Sequence, residues 1–267
     1  MRLIVAPALL LAAAAAGALP LNAPVPGGVA VLPLPLDQAT APQVRFGDRP
    51  VAVVRHQDRW VALIGIALDT PPGQQEIALA EGKRLVFTVH DKAYPTQKLQ
   101  IRAQNKVTPS PEEMARIEAE RETTERIKRQ FRPVEPDTDF SLPANGPLSS
   151  RFGLRRVFNG LPRAPHAGLD VSVGQGAPVT APATGIVTNT GDYFFNGNTV
   201  FVDHGSGLIT AYMHLSRIDV RAGERVVKGQ QLGTAGATGR ATGPHLHWAV
   251  FLNGHAVDPE LFLSSSR

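Results

Sequence analysis

The chain contains no cysteine among its 267 residues, so neither a disulfide nor a thiolate metal site can stabilise it. Aromatic residues are sparse, at 6%, and no dense lysine and arginine stripe interleaves with them, which argues against nucleic acid as a partner. Charge of either sign is modest: the net value of +4 permits attraction to an anionic polymer and dictates little else. Beyond the N-terminus no apolar run is long enough to cross a bilayer. The zinc-protease helix pattern H-E-x-x-H is also missing. With sulfur excluded, histidine and carboxylate are the strong metal ligands that remain.

The first residues, MRLIVAPALLLAAAAAGALPLNA, have the order of a secretory signal peptide: one arginine, an apolar stretch, then small residues ending in Ala16-Gly17-Ala18. Pro7 and the weakly apolar alanine run argue against a permanent anchor. Residues 1–23 are therefore read as a leader, and the protein as exported, without stable membrane insertion after cleavage.

Three regions follow, and together they predict a mainly β protein. Residues 24–106 alternate short β-branched runs with Pro and Gly turns, and PVAVVRHQDRWVALIGIAL reads as a hairpin. RLVFTVH and KLQIRA add further strands, giving a small N-terminal β-sandwich. Residues 107–140 form a helical linker. Ser110 and Glu113 make a capping box with Pro111 at the first helical position. Glu112–Arg116, Glu122–Arg126 and Glu125–Arg129 have i,i+4 spacing, while Met114, Ile117, Ile127 and Phe131 give one sparse apolar stripe. Such a segment reads as a solvated connector. Residues 141–267 return to short strands between Gly and Pro turns, an antiparallel β architecture that holds all the histidines except His56 and His90.

Within that last region, ATGPHLHWAVF places His245 and His247 one residue apart in an apolar run. Positions i and i+2 of a strand share a face, so the two imidazoles lie side by side. In PRAPHAGLDVSV, His166 and Asp170 have a helical spacing, yet Pro165 and Gly168 argue for a loop entering a strand. A carboxylate at the mouth of an apolar strand needs compensation, which a divalent metal would provide. Each pattern alone is weak; together they supply the three ligands of a hydrolytic zinc site, namely His166, Asp170 and one histidine of the pair. The other histidine then stands beside the attacking water as a base. AYMHLS offers a further imidazole, His214, at the end of an apolar strand.

PHAGLD, YMHLS and GPHLHW, in that order and spacing, resemble the signature motifs of the lysostaphin/LytM-type zinc metallopeptidases, which cut peptide cross-links in bacterial peptidoglycan. The likeness covers about residues 145–262. It implies zinc as cofactor, held by His166, Asp170 and His247, with His245 as general base and His214 stabilising the oxyanion. It implies peptidoglycan peptide stems as the partner. The order of leader, β domain, charged helix and peptidase is similar to that of Gram-negative exported members, which implies a periplasmic enzyme cutting the D-alanyl to meso-diaminopimelate bond. Oligoglycine bridges are the alternative substrate. Some LytM-like domains have lost their ligands and regulate cell-wall amidases without catalysis; here all five motif positions are filled.

Other residues admit plainer readings. Asn159, in VFNGLPR, either reaches the substrate from a loop or only turns the chain. Tyr212, two before His214, either lines the groove or packs. His204 reads as a strand-end or turn residue, and His255 as a surface one. The sequence leaves open whether the N-terminal domain and helix keep the enzyme latent or bind the cell wall.

Overall fold

The computed structural model describes residues 18–36, 38–101 and 104–263. The bulk of the expected leader, residues 1–17, lies outside them. Residues 18–23 belong to the folded body. Leu21 N–H donates to the Leu261 carbonyl (2.8 Å), Thr138 Oγ1 donates to the Ala18 carbonyl (2.6 Å), and Asn22 Oδ1 accepts from Val31 N–H (3.0 Å). The described part of the stretch read as leader is thus bonded to the folded body.

Seven strands make the N-terminal sandwich: β1 (Val29–Pro33), β2 (Val44–Phe46), β3 (Arg49–Pro50), β4 (Ala52–His56), β5 (Arg59–Gly65), β6 (Gly73–Leu79) and β7 (Arg84–Val89). One sheet runs β1-β5-β4 and the other β3-β2-β6-β7. The expected hairpin is β4–β5, turned at Gln57 and Asp58 with φ of 46° and 61°, the left-handed pair of a type I′ turn. Ala62 and Ile64 of β5 pack inside the sandwich with Ile77 and Val89. Val61 and Leu63 point the other way, into the core of the C-terminal region with Val171, Tyr212 and Trp248. Burial on both faces explains why β5 reads as a continuous apolar run rather than an alternating one. A buried polar clasp joins the same two regions. Asn253 accepts from Gly65 N–H through Oδ1 (2.6 Å) and donates to the Gly65 carbonyl through Nδ2 (3.1 Å).

β8 (Thr96–Leu99), expected in the N-terminal domain, leaves it to pair in parallel with β10 (Arg155–Phe158). The helix α1 (Pro111–Lys128) begins as expected: Ser110 Oγ accepts from Glu113 N–H, and the Glu113 carboxylate accepts from Ser110 N–H. Its ion pairs differ from those the spacing suggested. Arg116 meets Glu120 at 2.6 Å and Asp192 at 3.2 Å, while Arg121 meets Glu118 and Lys128 meets Glu125. The apolar stripe is mostly unused, since Ile127 is buried while Met114 and Phe131 are exposed. Polar anchors hold the helix instead, among them Phe194 N–H donating to Glu120 Oε2 at 2.7 Å.

The C-terminal region adds β9 (Leu148–Ser150), β11 (Leu161–Pro162), β12 (Leu169–Val171), β13 (Pro178–Thr180), β14 (Gly185–Tyr193), β15 (Gly197–Gly205), β16 (Leu208–Ile218), β17 (Arg225–Val226), β18 (Gln231–Ala235), β19 (Leu246–Leu252) and β20 (His255–Val257). Its main sheet is antiparallel in the order β17-β14-β15-β16-β19-β12-β9, with β18 joining β13 to β16 and β20 extending from β19. The mainly β reading describes the molecule, with one α-helix among the described residues.

Candidate metal centre and its cleft

The site grows out of strand register. Ser150 on β9, Asp170 on β12, His247 on β19 and Met213 on β16 are successive partners across the sheet. Direct cross-strand partners share a face, so one row carries Ser150, Asp170 and His247 side by side. Tyr212 and Trp248, the adjoining pair, point to the opposite face and are fully buried in the core. His166 arrives from the loop before β12. The loop is fixed by two backbone hydrogen bonds, Gly153 N–H to the His166 carbonyl (2.8 Å) and His166 N–H to the Leu154 carbonyl (2.9 Å).

Three donor atoms converge there. His247 Nδ1 lies 2.7 Å from Asp170 Oδ1, and His166 Nε2 lies 3.0 Å from both Asp170 Oδ1 and His247 Nδ1. His166 Nδ1 donates to the Arg151 carbonyl at 2.8 Å, which turns Nε2 to its neighbours. Burial alone would raise the Asp170 pKa. Hydrogen bonds and charge from His166 and His247 overcome it and hold the carboxyl far below the usual carboxylate range. Arg156 Nη2 adds a bond to Asp170 Oδ2 at 3.1 Å.

His245 and His214 flank this centre. His245 shares the face of His247, as the i, i+2 spacing predicts, and its Nε2 lies 4.0 Å from Asp170 Oδ1. The rings of His214 and His245 are 4.8 Å apart. Strict alternation along β16 would send His214 to the core with Tyr212. A left-handed backbone at His214, φ 62°, breaks that alternation and brings the ring into the cleft. That conformation costs a non-glycine residue on the order of 1–2 kcal/mol. It is held by the bond from His214 N–H to the Asn196 carbonyl at 2.8 Å. Both rings donate from Nδ1 to a backbone carbonyl, His214 to Thr238 and His245 to Gly243, each at 2.8 Å. A carbonyl can only accept, so in the neutral form of each ring Nε2 is the lone-pair acceptor. Burial, reinforced by His247 and His245, pushes the His214 pKa down to about 3.

The cleft encloses about 320 Å³ and includes residues that sequence reasoning passed over. Gln97, Leu99 and Ile101, from the segment containing β8, form one wall; Arg156 and Arg240 line it as well. Gly168 cradles the metal-site histidine: a Cβ there would stand 2.6 Å from both His247 Nε2 and the Trp248 carbonyl oxygen. Its place inside PHAGLD was the available signal for Gly168. Nothing in GLRRVF or TGRATG marks Arg156 or Arg240 as cleft residues.

Two substrate-binding expectations are corrected. Asn159 does not line the cleft; its amide clasps the backbone of Ile101, accepting from N–H at 2.8 Å and donating to the carbonyl at 3.0 Å. Tyr212 packs, fully buried, with its hydroxyl 2.8 Å from Thr210 Oγ1. Of the two readings of His204 the strand-end one holds: it lies one residue before the end of β15, buried, bonded through Nδ1 to the Thr184 carbonyl (2.9 Å) and through Nε2 to Thr210 Oγ1 (2.8 Å). His255 is half-buried.

Two family models match separate stretches of the chain. Residues 164–259 match peptidase family M23, and residues 22–92 match the peptidase family M23 N-terminal domain. Peptidoglycan DD-endopeptidase ShyA of Vibrio cholerae is 41% identical over 112 residues, covering 42% of this chain and 26% of ShyA. DD-carboxypeptidase/endopeptidase Mpg of Neisseria gonorrhoeae is 43% identical over 94 residues, covering 35% and 22%. The chain thus spans about a quarter of the length of these curated relatives. A crystal structure from Pseudomonas aeruginosa, described as a peptidase M23, superposes with a TM-score of 0.78 at 44% identity, covering 91% of this chain and 96% of that one. With both regions matched and the whole architecture shared, the chain belongs to peptidase family M23.

Proposed function

We propose that the protein is a zinc-dependent endopeptidase that hydrolyses peptide cross-links of bacterial peptidoglycan, at the D-alanyl to meso-diaminopimelate bond, after export to the periplasm. The observation that carries this reading is the convergence of His166 Nε2, Asp170 Oδ1 and His247 Nδ1 beside two further imidazoles in one cleft. Membership of family M23 and the DD-endopeptidase names of the relatives support it.

The donor set fits zinc. Two imidazole nitrogens and one carboxylate oxygen, clustered at 2.7–3.0 Å, crowd lone pairs together in a way that a cation relieves. When bound, zinc would act as a Lewis acid on the scissile carbonyl and on the attacking water. The chain supplies the rest. His245, held by the Gly243 carbonyl, offers Nε2 to take a proton from the water and return it to the leaving amine. His214 also rests as an acceptor at Nε2, so it first orients the water. The family resemblance implies that it also stabilises the oxyanion. Arg156 fixes the second oxygen of Asp170, keeping Oδ1 turned toward the histidines.

The test is incubation of the mature chain with purified diaminopimelate-type peptidoglycan, with chelator, and with zinc restored, followed by mass spectrometry of the products. Cross-linked dimers should convert to monomers, stop with chelator and resume with zinc. Intact dimers in a zinc-loaded sample would refute the reading and favour the non-catalytic amidase regulator.

A further inference from the structure

Arg240 is a half-buried cation with no carboxylate beside it among the described residues. Its guanidinium lies over Phe195 and Phe158, 4.2 and 5.0 Å from the ring centroids. Its side chain donates to the Lys106 carbonyl from Nη1 at 3.3 Å. Arg156 shares the cleft. Its Nη2 is engaged with Asp170 and Ser150, but its Nε–H is buried without a partner. Among the described residues lining the cleft, Asp170 is the sole acid, and it is already committed to Arg156, His166 and His247. Burial, with the like charges of Arg156 and Arg163, brings the Arg240 pKa down to about 10.

Two partly buried guanidiniums in a cleft whose one carboxylate is already engaged by Arg156 are costly unless something negative arrives with the ligand. Stacking on two aromatic rings fixes the plane of the Arg240 fork, so little freedom is lost when an anion binds it. A backbone carbonyl would satisfy the hydrogen bonds but not the charge. A carboxylate satisfies both, and its two oxygens match the fork.

We propose, resting on the endopeptidase reading above, that Arg240, with Arg156 beside it, binds a carboxylate of the substrate peptide close to the scissile amide. Two carboxylates of such a cross-link qualify. In diaminopimelate, the carbon bearing the scissile nitrogen also carries a carboxylate; the α-carboxylate of a γ-linked glutamate in the stem is the other. A glycine–glycine bond carries neither on its flanking residues, so the same arginine selects against oligoglycine bridges.

The experiment compares kcat/KM of the zinc-loaded full chain on three cross-linked dimers: carboxylates free, diaminopimelate amidated, and glutamate α-carboxylate amidated. One amidation should lower kcat/KM about 10- to 100-fold, the range for losing a charge-assisted pair, and which one it is identifies the source. Arg240→Gln should lower kcat/KM on the free dimer by a similar factor and no longer distinguish the amidated one, with metal content unchanged. Arg240→Lys, which keeps the charge on a smaller head, should fall between and guards against a Gln variant that fails to fold. Equal cleavage of all three dimers by the unmodified enzyme, or discrimination that survives both substitutions, overturns the assignment and leaves the endopeptidase reading standing. Failure to cut any dimer overturns both.

Discussion

Asp170 and His247 are direct partners across β12 and β19, and their side chains meet at 2.7 Å on the face that also carries Ser150. Because the meeting follows from register, a one-residue slip of either strand would send one of the two to the opposite face. The candidate metal centre is therefore fixed by the register of the sheet.

Asp170→Ala should abolish zinc binding, measured as metal content after dialysis, because it removes a ligand and leaves Arg156 without its carboxylate. His245→Ala should keep one equivalent of zinc and lose about 10²- to 10⁴-fold in kcat, the usual range for a general base. A His245→Ala enzyme of full activity would remove His245 from the mechanism.

Gly168→Ala should weaken zinc binding although Gly168 is no ligand. The added methyl would stand 2.6 Å from His247 Nε2 and from the Trp248 carbonyl, so either the ring or β19 has to move. Such overpacking costs about 1–3 kcal/mol, and a competition titration against a chelator should show the loss in metal affinity. Unchanged affinity would mean that the ring has room to turn.

Much of this site was legible in the sequence because its signals are local. The i, i+2 spacing of His245 and His247 dictates a shared face in any strand. Pro165 and Gly168 correctly marked a loop before Asp170. His214 was found in sequence by its place in a motif, yet alternation along β16 would have put it on the wrong face, and the positive φ that rescues it has no signature in AYMHLS. The reach of Asn159 to Ile101 and the pairing of β8 with β10 have no such local signal. Their partners lie 58 residues apart in one case and across a parallel pairing in the other, and no short-range pattern encodes a long-range contact.

Stability should fall in mild acid because of a histidine outside the catalytic set. Burial lowers the His204 pKa from 6.5 to about 4, so the folded chain keeps this ring neutral while the unfolded chain protonates it. Its contribution is intact above the unfolded value and is lost as pH falls from about 6.5 toward 4, by about 3 kcal/mol in all. His204→Gln should lose less stability than the parent between pH 7.5 and 4.5 in denaturant titrations. Equal losses would assign the acid sensitivity to other groups.

Asn253→Ala strips the buried N–H and carbonyl of Gly65 of their partners and should cost about 2–4 kcal/mol. Since Val61 and Leu63 belong to the same core as Trp248, thermal unfolding of the full chain should be one cooperative transition, and the variant should lower its midpoint without splitting it. Two separate calorimetric peaks would show that the regions unfold independently.

The two-faced burial of β5 has a consequence for how the protein can change over generations. A volume change at Ala62 is felt by the sandwich and one at Leu63 by the peptidase core, while the backbone they share transmits any shift between them. Neither half can drift freely or be exchanged for a foreign module without repair of the other. A substitution that repacks one half therefore calls for a compensating one in the other, with β5 as the seam between them.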